Sequence, residues 1–259
     1  MIKLSRDIGI DLGTANVLVY LDGRGIVVNE PSAVALDKNT GKVLEVGAAA
    51  KKMLGRTPGN IVAARPLERG AISDYDMTAT MLSVYLRRIT KMSLVKPRVV
   101  VSVPSGITEV EERAVIQATM EAGARRVYLL EEPLAAAIGA GMNIKGAGGS
   151  MVIDIGGGTT DIAVLSLNNV VRSTSIDAAG DAFDNAIIQY IRERYQVLVG
   201  NQTAEEIKMA IGCVNPRPEA LVMTVKGRNL SSGLPQEVDV TSVDVMHALT
   251  TPCRDILYA

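Results

Sequence analysis

Asp154-Ile155-Gly156-Gly157-Gly158-Thr159-Thr160-Asp161 decides the fold, because it restates Asp11-Leu12-Gly13-Thr14-Ala15-Asn16 at a distance of 143 residues. Each turn closes an apolar strand that ends in aspartate, Ile8 to Asp11 and Met151 to Asp154. A second and a third strand then follow: Asn16 to Leu21 and Gly25 to Val28 in the first copy, Asp161 to Leu167 and Val170 to Ile176 in the second. An internal repeat of this kind predicts two pseudo-symmetric lobes. Glycine at such turns lets backbone N–H groups approach phosphate oxygens, because it has no Cβ and tolerates positive φ. Thr14, Asn16, Thr159 and Thr160 can add side-chain donors. The strand-final carboxylates Asp11 and Asp154 would face the phosphates, and two acids belong there only if Mg²⁺, through retained waters, lies between. A single copy would read as an ordinary hairpin with turn glycines; two aspartate-bearing copies imply a phosphate clamp. No Gly-x-x-x-x-Gly-Lys-Ser/Thr occurs, and Gly156-Gly157-Gly158 leads into a strand rather than a helix, so neither a P-loop nor a Rossmann site is present.

Between the turns, Ser32 to Leu36 and Val43 to Val46 read as strands and residues 75–91 as a helix. Pro97 to Val103 is a β-branched run. It leads into Thr108-Glu109-Val110-Glu111, a capping-box pattern opening a helix with Val110, Ala114, Ala118 and Ala122 on one stripe and Gly123 at its end. Val127 to Leu130 then runs into a helix from Glu132 to Ala140. This order predicts a mostly parallel sheet in the first lobe. After the Gly146-Ala147-Gly148-Gly149 hinge and the second hairpin, helix Asp181 to Tyr195 carries Phe183, Ile187, Ile191 and Tyr195 as its core stripe. An α+β insert at about 200–240 and a terminal helix near 242–257, with Pro252 inside it, complete the chain.

The composition, 47% apolar and 21% charged over 259 residues, suits a folded chain able to bury one large core or two modest ones. A net charge of −1 with scattered basic residues offers no stripe for a nucleic-acid backbone. The N-terminal residues form no apolar signal region, and no run approaches the roughly 18 apolar residues of a membrane span, so a cytoplasmic location is expected. Cys213 and Cys253 read as buried reduced thiols, and His247 as a helix-packing residue. One histidine excludes imidazole chemistry and a histidine metal cluster.

Glu131-Glu132-Pro133-Leu134-Ala135-Ala136-Ala137-Ile138-Gly139-Ala140-Gly141 puts two carboxylates at a strand end and a proline in the first turn of a helix. Carboxylates there suit the helix dipole. Equally, one glutamate can polarise a water aligned with a γ-phosphate. The small residues Ala135, Ala136, Ala137 and Gly139 would let the helix pack closely as a hinge between lobes.

D-L-G-T-A-N (11–16), V-P-S-G-I-T-E-V-E (103–111), E-E-P-L-A-A-A-I-G-A-G (131–141) and D-I-G-G-G-T-T-D (154–161) occur in the order of the actin and sugar-kinase ATPase superfamily. The chain resembles its MreB family. N-E-P-S at 29–32, G-R-T-P-G-N at 55–60, R-P-L at 65–67, T-A-E-E-I-K at 203–208 and V-K-G-R-N-L at 225–230 extend the likeness over nearly the whole chain. The resemblance implies an α/β, actin-like (ribonuclease H-like) two-lobed fold with pseudo-symmetric mixed sheets. Residues 1–145 would form the first lobe, with a small subdomain at about 30–75, and 146–259 the second.

By position, Asp11 and Asp154 would organise Mg²⁺, and Gly13, Thr14, Ala15, Asn16, Gly156, Gly157, Gly158, Thr159 and Thr160 would cradle the phosphates of ATP. Glu132, rather than Glu131, would position the attacking water. Gly180 and Asp181 would close around the nucleotide, or Asp181 would simply cap its helix. Glu205 and Lys208 would contact ribose and adenine, or form a solvated i, i+3 pair. The implied activity is Mg-ATP hydrolysis linked to self-assembly into filaments that organise cell-wall synthesis and rod shape, with elongation proteins as partners. Lys91-Met92-Ser93-Leu94-Val95-Lys96 would touch the inner face of the membrane, or Leu94 and Val95 would finish a buried stripe.

Two departures stand out. Family chains continue through a Gly-Gly-Gly adenosine segment into a final helix, and neither occurs before Ala259, so the second sheet is expected to lack strands and the adenine pocket one wall. On that expectation the chain would assemble poorly, and a filament-capping paralogue or fragment is the alternative. Asp161 replaces the family's usual glutamate, a change expected to alter little. A chaperone ATPase would need a peptide-binding domain after the ATPase. A sugar kinase would need an aromatic-bearing pocket, which a chain with no Trp and one Phe supplies poorly.

Overall fold

The computed structural model describes residues 7–90 and 95–259. The chain opens with β1 (Asp7–Leu12), β2 (Asn16–Leu21) and β3 (Gly25–Pro31), an antiparallel meander. β4 (Val34–Asp37), β5 (Val43–Val46), the short α1 (Ala48–Lys51) and β6 (Ile61–Ala64) follow. Strands β5, β4 and β6 make a three-stranded antiparallel sheet, under which Ala33, Ala35 and Ala50 are packed by Met53 and Leu54. β4 starts at Val34, two residues later than expected, because the Ser32 hydroxyl is turned back onto the Gly13 carbonyl. A two-stranded ribbon, β7 (Leu67–Glu68) and β8 (Ala71–Ile72), turns through Arg69 and Gly70, both with positive φ.

Helix α2 (Tyr75–Thr90) leads to β9 (Arg98–Val103), α3 (Glu109–Glu121), β10 (Arg126–Glu131) and α4 (Glu132–Gly139). The main sheet has the order β10-β9-β1-β2-β3. β10, β9 and β1 are parallel and β1, β2 and β3 antiparallel, so the sheet is evenly mixed, not mostly parallel: the opening meander contributes as many pairings as the strand-helix units. Ile8, Ile10, Leu12, Val99, Val101 and Val103 project from one face onto α2 and α3. The capping box at Thr108 and Glu111 forms as the sequence predicts. The α3 stripe forms only in its C-terminal half: Ala118 and Ala122 are buried as predicted, joined by Val115 and Thr119, whereas Val110 is 76% exposed and Ala114 half-buried. Val110 lies about 140° around the helix from Val115, and the Thr119 hydroxyl is accommodated inside by donating to the Val115 carbonyl.

β11 (Ser150–Ile155), β12 (Thr160–Ser166) and β13 (Asn169–Ile176) form the second meander. Its register repeats the first: Asp11 faces Leu18 and Asp154 faces Asp161, both partners displaced by 143 residues. α4 lays Leu134 and Ala137 on this sheet against Val152, Ala163 and Leu165. The other face differs sharply from its counterpart. Ile8, Ile10 and Leu12 are at most 4% exposed, whereas Met151, Ile153 and Ile155 are 60%, 52% and 52% exposed. The second sheet has three strands where the first has five.

By packing, the chain divides into two compact units, residues 1–175 and 176–259. The second unit comprises α5 (Gly180–Tyr195), β14 (Val197–Leu198), α6 (Asn201–Ile211), β15 (Val222–Asn229), β16 (Pro235–Thr241), α7 (Ser242–Ala248) and α8 (Thr250–Tyr258). Ile187 and Ile191 of α5 are buried with Ile207, Val225, Val240 and Val245, and Phe183 and Tyr195 flank them as the stripe predicts. Three expectations fail here. The terminal helix is broken at Leu249, because Pro252 lacks an N–H and its ring excludes the carbonyl four residues back, so a new helix starts just before it. His247 is exposed, since it lies about 200° around α7 from buried Val245. Cys213 and Cys253 are free but only half-buried.

Asp244 ties this unit together. Its carboxylate accepts from the Tyr195 hydroxyl at 2.9 Å, the Tyr190 hydroxyl at 3.1 Å, and the Thr241 N–H at 2.9 Å and hydroxyl at 2.6 Å. Helix α5 is thereby stitched to the capping box that starts α7.

Candidate functional site

The two Gly-rich turns meet inside the first unit. A Cβ added to Gly157 would lie 2.5 Å from the Ala15 Cβ and 3.0 Å from the Ala15 nitrogen. One on Gly158 would lie 2.6 Å from the Thr14 hydroxyl and 3.0 Å from the Arg69 backbone. Only glycine permits this approach. The turns are also built alike: a Cβ on Gly13 would lie 2.8 Å from the Asn16 carbonyl oxygen, and one on Gly156 would lie 3.2 Å from that of Thr159.

The β7–β8 turn, which the sequence did not flag, forms a third wall. Gly70 donates its N–H to the Thr14 hydroxyl at 2.9 Å, and Arg69 abuts Gly158. Thr14, Thr159 and Thr160 are buried, so the threonines join the turns to their surroundings. Gly156 and Asn16 remain exposed, and Gly13, Ala15 and Gly157 partly so. The open surface of the turns is therefore mostly backbone.

Carboxylates gather beside the turns. Asp11 accepts from the Ser102 hydroxyl at 3.0 Å. Asp11 lies one residue before the end of β1 and is exposed. Partial desolvation raises its pKa, Ser102 opposes the rise, and Asp154 adds to it. Asp161 is 1% exposed and accepts the Ser105 N–H at 2.9 Å. Burial lifts its pKa, against the hydrogen bonds of Ser105, Ser175 and Thr159 and in concert with Asp154. Glu132, the first residue of α4, is pushed up to about 8 by burial and then by the charges of Asp161, Asp11 and Asp154. Glu131 instead accepts the Ser105 hydroxyl at 2.9 Å. Four acids thus share one field: the three predicted ones and Asp161, whose substitution for glutamate had been expected to matter little.

Among the described residues no group of three or more His, Cys, Asp or Glu side chains is arranged to hold a metal ion. Two hard carboxylates that repel one another, Asp11 and Asp154, nonetheless fit Mg²⁺, which keeps several waters and takes one or two carboxylates plus phosphate oxygens. The repulsion that Asp154 exerts on the Asp11 carboxylate is what a cation would relieve.

In the second unit, Gly180, Asp181, Glu205 and Lys208 come together around Asp184. Lys208 Nζ pairs with Asp184 at 2.8 Å and donates to the Gly180 carbonyl at 3.0 Å. Burial raises the Asp184 pKa against the Lys208 contact, and Glu205 and Asp181 add to the rise. Asp181 sits inside the first turn; the cap position is Ala179, with no side-chain cap. Of the segment 91–96, residues 91–94, including Leu94, lie outside the described residues, and Val95 is half-buried. No helix among the described residues is long and apolar enough to cross a membrane.

Twin strand-turn-strand units with apposed glycine turns and facing aspartates define an actin-like fold. Solved structures agree. MreB5 of Spiroplasma citri bound to AMPPNP superposes with a TM-score of 0.92 at 39% identity, over 98% of this chain and 77% of that one. The MamK double helical filament superposes at 0.81 and 22% identity, a likeness of fold alone. The chain belongs to the MreB/Mbl protein family, whose model matches residues 5–259. It is 52% identical over 256 residues to the cell shape-determining protein Mbl of Bacillus subtilis (strain 168), spanning 98% of this chain and 77% of Mbl. It is 49% identical over 261 residues to the cell shape-determining protein MreB of Escherichia coli (strain K12), spanning 98% and 75%.

Proposed function

We propose that the chain binds Mg-ATP at the apposed turns of β1–β2 and β11–β12, hydrolyses it, and assembles into filaments that serve cell shape. One observation carries the reading: Gly157 and Gly158 pack against Ala15 and Thr14 so closely that no Cβ fits, which leaves the turns to present backbone rather than side chains. Relatives support it, since MreB5 of Spiroplasma citri is solved bound to AMPPNP and to ADP.

In this reading Gly13, Ala15, Asn16, Gly156 and Gly157 hold phosphate oxygens, and Thr14, Thr159 and Thr160 fix the turns that do so. Asp11 and Asp154 would hold Mg²⁺. When bound, the ion neutralises charge on the transferring phosphoryl group. Glu132 orients the attacking water and can accept its proton. Glu131, already engaged by Ser105, orients Glu132's strand end. In the second unit Gly180, Asp181, Glu205 and Lys208 serve the ribose and adenine. Repeated head-to-tail contacts between copies build the filament, and the region of Leu94 and Val95 meets the membrane face. The lobes of the repeat are 1–145 and 146–259.

Titration calorimetry on Asp154→Ala tests the clamp. Mg-ATP affinity is expected to fall at least about tenfold, because a carboxylate that orders the metal is lost. Unchanged affinity would remove Asp154 from the site.

A further inference from the structure

The repeat places Asp161 where its counterpart is Leu18. An apolar side chain therefore satisfies that ladder position, and exchanging it for a carboxylate that is 1% exposed costs desolvation energy. The carboxylate is held by three contacts: the Ser105 N–H at 2.9 Å and the side chains of Ser175 and Thr159. Thr159 belongs to the glycine turn itself. Ser105, 5% exposed, follows the end of β9 and donates its hydroxyl to Glu131 at 2.9 Å. Glu131 ends β10 and precedes Glu132, the first residue of α4. Two consecutive hydrogen bonds thus run from the strand leaving the second turn to the residue beside Glu132.

We propose that Asp161 is a positioning residue for hydrolysis, acting through Ser105 and Glu131 to hold the strand end that carries Glu132 in register with the 156–159 turn. The inference rests on the reading of Glu132 as the residue that orients the water. Movement of the turn on gain or loss of the γ-phosphate reaches Glu132 through this chain, and a water-orienting carboxylate is sensitive to displacements of about 1 Å. Asp161 touches neither water nor phosphate in this account.

The test compares Mg-ATP affinity, by calorimetry, with phosphate release in a single turnover. It uses the full 259-residue chain and its Asp161→Ala, Asp161→Asn, Ser105→Ala and Asp161→Ala/Ser105→Ala variants. Asp161→Ala is expected to slow hydrolysis about tenfold or more while affinity stays within about threefold, the mark of a loss confined to the transition state. Asp161→Asn keeps an acceptor for the Ser105 N–H and should recover most of the lost rate. Ser105→Ala should slow hydrolysis comparably, and the double variant should be within about twofold of Asp161→Ala, because serial links are not additive.

Folded Asp161→Ala with a wild-type rate overturns the proposal, as does Asp161→Asn as slow as Asp161→Ala. Should Asp161→Ala fail to fold, Ser105→Ala decides alone, and a wild-type rate there overturns the relay. A wild-type chain that binds no Mg-ATP, or binds without hydrolysing, defeats the underlying reading and the relay with it. A wild-type chain that hydrolyses alongside equally fast relay variants defeats the relay only.

Discussion

Asp154 stands directly opposite Asp161 in the β11–β12 ladder, whereas the same position 143 residues earlier sets Asp11 opposite Leu18. Like charges facing each other across strands are destabilising. With Asp11 in the same field, these charges raise the Glu132 pKa, and a proton or a cation offsets them there.

Glu132, raised from 4.5 to about 8, holds that proton near neutrality when no cation is bound. Binding of Mg-ATP favours the charged carboxylates, so it should release protons at pH 7 and fewer at pH 9, and apparent affinity should rise between pH 6 and pH 9. Calorimetry in two buffers of different ionisation enthalpy reads the proton count directly. No release at pH 7 would mean that the cation does not meet Glu132's field.

The same shift predicts a stability effect. A raised carboxyl pKa means the native state binds more protons than the unfolded chain between pH 4.5 and 8, so this group's contribution is fully present below pH 4.5 and is lost as pH rises through 8. Glu132→Gln should therefore melt higher than wild type at pH 8.5 without Mg²⁺, by about 2–4 °C if ~1 kcal/mol is recovered, and match it at pH 4.5. Its hydrolysis should drop about 10²-fold or more with nucleotide binding retained. If Glu131→Ala slows hydrolysis and Glu132→Ala does not, the two roles are exchanged.

Gly158→Ala and Gly157→Ala should part the two turns, because the new methyl carbon meets backbone of Arg69 or Ala15 at 3.0 Å. Nucleotide affinity is expected to fall about tenfold or more, since small displacements of a phosphate cradle are costly. Gly55→Ala, whose glycine has open space around it but a positive φ, should cost only ~1 kcal/mol of stability and leave affinity intact. Urea denaturation and calorimetry on the same samples separate the two effects.

Asp244→Ala should destabilise the second unit by ~2 kcal/mol at pH 7, because Tyr190 and Tyr195 lose their acceptor and α7 its capping box. Burial alone would raise the Asp244 pKa, but the Thr241, Tyr195 and Tyr190 hydrogen bonds hold it below 3.8. That stability is present above the unfolded value and lost as pH falls through the folded one. The difference between wild type and variant, followed by urea denaturation, should therefore shrink as pH falls below 3.8.

The sequence by itself determined the twin hairpins and their shared register, the strand end at Glu131 and Glu132, the capping box at Thr108 and the Ile187–Ile191 stripe. Each follows from backbone geometry over a few residues: period two in strands, 3.6 in helices, glycine where a turn is tight. Tertiary packing decided the rest. Val110 and Val115 are equally apolar, and only the position of α2 and the sheet selects which is buried. Leu249 ends a helix because Pro252 follows it, an effect local in origin but settled by where α7 already packs. Arg69 and Gly70 became part of the site by folding onto Gly158 and Thr14, partners 89 and 56 residues away along the chain. Asp161 reads in the sequence as a minor replacement; only its enclosure between Ser105, Ser175 and Thr159 makes it central, because a buried carboxylate is defined by the donors that surround it and two of these, Ser105 and Ser175, are brought to it by the fold rather than by its own turn.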